Sequence, residues 1–149
     1  MPERKTLERA AEDKREGKAP STQAGEFVRE EMEHVREGKH GARSAKQAIA
    51  IGLSTARRAG VALKPPAEGK APAKTRRSAK LANAAGKRKT AGVSPRRSRA
   101  TSDALKREGS SAASPTALSR HAKAVARKRG PAARSAAARK AARTRSRKA

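Results

Sequence analysis

His34, Glu37 and His40 are the residues whose types most resemble a metal-ligand set. His34 and Glu37 are three apart, so a helix would put an imidazole and a carboxylate on one face, and both are zinc-type ligands. Against this, Gly38 separates His40 from that helix and no further ligand converges in the sequence. The three read as surface residues, and neither a metal nor a cofactor is expected. His121 is set among arginines and makes a poor general base. There is no cysteine, which excludes disulfides, thiol catalysis and thiolate metal sites. Ser/His/Asp triads, paired buried carboxylates, P-loops and dinucleotide fingerprints are missing, so the chain is not expected to be an enzyme.

The remaining chemistry is cationic. The chain carries 39 Lys and Arg against 13 Asp and Glu, a net charge of +26 over 149 residues. That balance points to a polyanionic partner. The charge is uneven: residues 1–43 hold ten basic and ten acidic groups, whereas residues 65–149 hold 25 basic groups against three acids. Each Lys or Arg near a phosphate releases a condensed counterion, giving affinity without sequence preference. The expected contacts begin at the end of the front half with Arg57, Arg58 and Lys64. They continue through Arg76, Arg77, Lys87, Arg88, Lys89, Arg96, Arg97 and Arg99. The last group is Arg120, Lys123, Arg127, Lys128, Arg129, Arg134, Arg139, Lys140, Arg143, Arg145, Arg147 and Lys148. Ser94-Pro95-Arg96-Arg97 has the form of a Pro-fixed turn presenting two cations to a narrow minor groove, though a single copy in a basic stretch arises readily by chance. Phe27 is the only aromatic residue, so platforms for stacking unpaired bases are absent. Duplex DNA, or structured RNA held through phosphates, is the expected partner.

The elements that would position these groups are helical. Leu, Ile, Val and Phe number 14, about a tenth of the chain, and most of the hydrophobic 34% is alanine. Few large apolar residues with high net charge is the signature of disorder. The expected fold is mostly α with extensive disorder: a small helix–loop–helix module and a flexible, conditionally helical basic tail. Residues 1–20 form a polar helix stopped by Gly17 and Pro20. Residues 21–64 form the module. Its first helix, 21–38, is capped by Ser21 or Thr22. Its second opens on a Ser44/Gln47 capping box and stops at Gly60. The expected core sets Phe27, Val28, Met32 and Val35 against Ile49, Leu53 and Ala56, with Gly52 allowing close approach and Ile51 left off the face. Residues 65–100 read as a basic Pro/Gly/Ala linker with a transient helix at 78–85. Residues 101–149 read as an Ala/Arg-rich tail, with a helix opening at Ser114-Pro115 and stopped by Gly130-Pro131.

The stretches Glu37-Gly38-Lys39-His40, Lys46–Ser54 (KQAIAIGLS) and Ala56–Gly60 (ARRAG) resemble a family of small basic bacterial and phage proteins of unknown function. The back half resembles linker-histone-like tails of bacteria in composition. The family resemblance implies a bacterial or phage origin and supplies no catalytic residue.

The expected function is non-enzymatic, electrostatic and largely sequence-independent binding of nucleic acid, duplex DNA first. Two alternatives stand beside it: an adaptor or assembly protein whose front module binds a protein partner or a second copy, and an RNA- or ribosome-associated protein. No apolar run is long enough to span a membrane, and the amphipathic faces are mostly alanine, so no membrane partner is expected. The expected location is cytoplasmic and nucleoid-associated.

Overall fold

Ser44 is extended, and its hydroxyl accepts a hydrogen bond from the Gln47 N–H at 3.2 Å. The Gln47 side chain returns to accept from the Arg43 N–H at 2.9 Å. This cap starts one of six α-helices in the computed structural model, which describes residues 1–88 and 94–147. The helices are α1 (Arg4–Arg15), α2 (Pro20–Arg36), α3 (Ala45–Arg58), α4 (Ala73–Lys87), α5 (Pro95–Lys106) and α6 (Pro115–Ser146), with a 3-10 turn at Ser111–Ala113. No strand occurs among the described residues. The mostly α expectation is met. The first helix of the module starts earlier than expected: Pro20 occupies its first turn, Ala19 is the cap residue, and neither Ser21 nor Thr22 caps it.

The chain divides into two compact units, Met1–Ser114 and the remainder from Pro115. In the first, α2 packs on α1 and α3, and α3 packs on α4. Phe27 is 2% exposed and lies with Ala10, Ala24, Ala56 and Val61. Met32 and Val35 are also buried. Val28, Ile49 and Leu53 are half-buried and not central as expected, and Ile51 is half-buried too. The buried stripe of α3 is Ala45, Ala48, Gly52 and Ala56. A Cβ on Gly52 would stand 2.7 Å from the Val28 Cα. The helices therefore touch backbone to backbone at Gly52, and larger side chains are displaced to the flanks of the contact.

The expected boundaries at 64/65 and 100/101 are not where the structure divides. α4 occupies much of the stretch read as linker and buries Ala79 and Ala82, one turn apart, against α3. The Asn83 side-chain amide donates to the Leu63 carbonyl at 3.0 Å, tying α4 to the chain leaving α3. The start of the expected tail also belongs to the front unit. The Gly41 N–H donates to the Leu105 carbonyl at 2.9 Å, and the Ala42 N–H to the Gly109 carbonyl at 3.1 Å. Arg36 Nε donates to the Ala113 carbonyl at 3.0 Å. The segment 105–113 is thus a strap across the α2–α3 connector, sealed by buried Ala112 and Ala113.

In the second unit, α6 bends sharply at Gly130, whose φ of 73° and ψ of 166° leave the helical region. The stop expected at Gly130-Pro131 is this break, and Pro131 starts the helix again directly beyond it. Among the described residues no helix is long and apolar enough to cross a membrane.

Candidate nucleic-acid interface

The α6 sequence supplies Arg120, Lys123 and Arg127 at i, i+3 and i+7 before the bend. After it come Arg139 and Arg143 at i and i+4, with Arg147 just past the helix end. Each set shares a helix face. All are exposed, as are Lys128, Arg129, Arg134, Lys140 and Arg145. Residues 115–147 contain eleven such cations and no acid. The bend brings Arg129 and Arg134 to the wall of one cleft of about 390 Å³, whose other lining includes Ala122 and Val125. A surface of this kind holds phosphate groups without needing a fixed register, because point charges on long stems adjust to spacing.

The front unit adds a second set. Arg58, Lys64, Arg77, Lys87, Arg88, Arg96, Arg97 and Arg99 are exposed. Ser94 and Pro95 do not form an isolated turn. Pro95 is the first residue of α5, so Arg96 and Arg97 occupy its first turn. Cations there face the positive end of the helix dipole, which a bound anion would relieve. Lys74 and Lys80 on α4 are equally exposed and were not among the expected contacts, having nothing but residue type to distinguish them. Lys89 and Lys148 lie outside the described residues.

Two of the expected contacts are placed differently. Arg76 is half-buried and paired with Glu68 at 3.0 Å. Arg57 is 8% exposed. Its Nη1 donates weakly to the Leu53 carbonyl at 3.4 Å, and its Nε is buried without a partner. Burial pushes the guanidinium pKa down from its usual value. The reason is α4, which covers the end of α3 and brings Gly86 against the Arg57 carbonyl. Arg57→Met is therefore expected to leave duplex affinity and its salt dependence unchanged and folding stability unreduced, since a buried, poorly paired charge is replaced by an apolar chain of similar length. Arg58→Gln, one residue on, should lower the salt slope by about one. A gel-shift salt series on the two variants, with thermal melts, checks both.

His34 and His40 are half-buried. Their side chains are each 19% exposed, and their rings meet edge to face at 6.0 Å. Glu37 is exposed and pairs with Lys39 at 3.0 Å. The carboxylates that do converge on the histidines are Glu3, Glu30 and Glu31. Burial pushes the Glu31 carboxyl above its usual range, against the opposing pull of His40 and His34. Hydrogen bonds from His34 and Lys39 hold the exposed Glu3 carboxyl low.

Comparison with known proteins finds no matching family model, no matching curated protein and no matching solved structure.

Proposed function

We propose that this protein is a non-enzymatic nucleic-acid-binding protein that grips duplex DNA through its phosphates with little regard to sequence, in the manner of a nucleoid-associated protein. The observation that carries this reading is the charge of the segment from Pro115 to Arg147, which has eleven exposed cations and no acid. Counterion release from those groups supplies affinity of a sequence-tolerant kind. Duplex is preferred over single strands because the one aromatic side chain, Phe27, is buried in the front unit and cannot stack a base.

In this reading α6 is a conditional helix. Like charges three or four apart oppose it, its apolar face is mostly alanine, and bound phosphates remove the opposition. The packed unit Met1–Ser114 carries further exposed cations of its own on α4 and α5. Two unrelated duplexes of equal length should bind within about threefold of each other, because phosphate contacts carry no sequence information. A preference of a hundredfold for one of them, or tighter binding to a protein partner with no duplex binding, would contradict the proposal.

A further inference from the structure

At the end of α2, two carboxylates are more than nine-tenths buried: Glu30 is 7% exposed and Glu31 8%. Each keeps one oxygen, Glu30 Oε2 and Glu31 Oε1, sealed from solvent with no hydrogen-bond donor. A buried carboxylate oxygen without a donor is destabilising unless a cation meets it. Two imidazoles face these groups. Glu31, His34 and His40 can each point a ligand atom so that all three lie within 4.8 Å of one another.

The hydrogen bonds around the two rings leave nitrogens available for ligation. His40 Nδ1 lies 3.2 Å from the Gly41 carbonyl, which holds the proton on that nitrogen. In the neutral ring its Nε2 then presents a lone pair toward Glu31 Oε1, 3.7 Å away. Two lone pairs facing each other invite a cation between them. His34 Nε2 lies 3.0 Å from Glu3 Oε1 and 3.8 Å from Glu30 Oε1, so the Nε2–H donates to a carboxylate and, in the neutral ring, Nδ1 keeps the lone pair for a ligand. Metal-bound histidines are held in this way, one nitrogen on the ion and the other N–H on a carboxylate or backbone carbonyl. Glu3 itself is engaged by Lys39 at 3.1 Å, which assigns it to this outer shell.

We propose that Glu31, His34 and His40 bind one divalent transition-metal ion, with Zn²⁺ the best-fitting chemistry. Two imidazoles and a carboxylate, without thiolate, suit Zn²⁺ and its neighbours and do not suit Mg²⁺ or Ca²⁺, which take all-oxygen sets. Side-chain rotations of about 1 Å would bring the three atoms to the ligand spacing of a tetrahedral ion. With three protein ligands the fourth position falls to water, and the effect proposed for the ion is to cross-link two segments of the chain. His34 and Glu31 are on α2, whereas His40 is on the connector whose next residue, Gly41, hydrogen-bonds the strap at Leu105. Occupancy would therefore clamp the end of α2 to the connector and secure the strap's docking point.

The test is calorimetric titration of the full chain with Zn²⁺, and separately with Mg²⁺, followed by thermal melts. The expected result is one equivalent of Zn²⁺ bound at micromolar concentration, no Mg²⁺ bound, and a Tm raised by roughly 10 °C at a hundredfold excess over Kd. His34→Ala and His40→Gln should each weaken Zn²⁺ binding by more than about 100-fold. Glu37→Gln and His121→Gln should leave it unchanged. His40 lies outside any helix, so His40→Gln carries the test if His34→Ala fails to fold. Co²⁺ loading, read by visible absorption, should give a tetrahedral spectrum lost in the same variants. Millimolar binding, or binding that survives His40→Gln, would overturn the proposal and leave His40 and Glu31 as an ordinary imidazolium–carboxylate pair.

Discussion

Replacing Arg127, Lys128, Arg129, Arg139, Lys140 and Arg143 together by Gln in the full chain should lower duplex affinity by at least about 1,000-fold near 0.1 M salt. Each phosphate contact contributes about 0.9 to the slope of log K against log salt, so removing six should reduce that slope by about five. Gln is nearly as good a helix former as Arg, and the substitution removes like-charge repulsion, so the helicity of α6 should hold or rise. The loss would then report charge alone. Fluorescence anisotropy on a labelled duplex measures the affinity, and far-ultraviolet circular dichroism checks the helix. An affinity reduced less than tenfold would mean that α6 is not the principal contact surface.

The second large effect lies in the front unit. Gly52→Val should drive α2 and α3 apart, because the new Cβ would meet the Val28 Cα at 2.7 Å and the Phe27 carbonyl oxygen at 3.0 Å. Those atoms are backbone and cannot swing away. Overpacking against side chains costs about 1–3 kcal/mol, and a backbone clash belongs at or beyond the upper end. For a unit of this size that is a fall in Tm of at least about 10 °C. Leu53→Ala, at the neighbouring half-buried position, should cost less, because its side chain is only partly withdrawn from water. If α6 carries most of the grip, duplex binding by Gly52→Val should stay within about threefold of the original chain while its melting transition is lost or lowered.

The helices that were legible in the sequence are those with local punctuation. Ser44 and Gln47 mark the start of α3, and Gly130-Pro131 marks the bend in α6. Gly38 ends α2 in the left-handed region with a φ of 73°. The Lys39 N–H then returns to the His34 carbonyl at 3.0 Å, closing the helix end. The core was legible where large apolar residues recur at helical spacing, as with Met32 and Val35 beside Phe27.

What was not legible depends on partners remote in sequence. Ala79 and Ala82 give α4 an apolar face too small to stand out by residue type, and they count only because α3 lies against them. The strap at 105–113 is held by backbone hydrogen bonds, which leave little trace in side-chain chemistry. Arg57 reads as an exposed cation until α4 covers it. The histidines stood out by residue type, but the carboxylates that face them, Glu3, Glu30 and Glu31, did not, for a related reason. Glu30 and Glu31 have the composition of a solvated helix face, and only the turn at Gly38 and the packing of the chain start on α2 bring His40 and Glu3 to His34.

The most direct measurement is the equilibrium constant of the full chain on a duplex long enough to cover α6, taken at four or more salt concentrations. With about ten phosphate contacts, log K should fall linearly against log salt with a slope near −9. A slope near zero, with affinity undiminished at high salt, would contradict binding through phosphates and with it the proposed function.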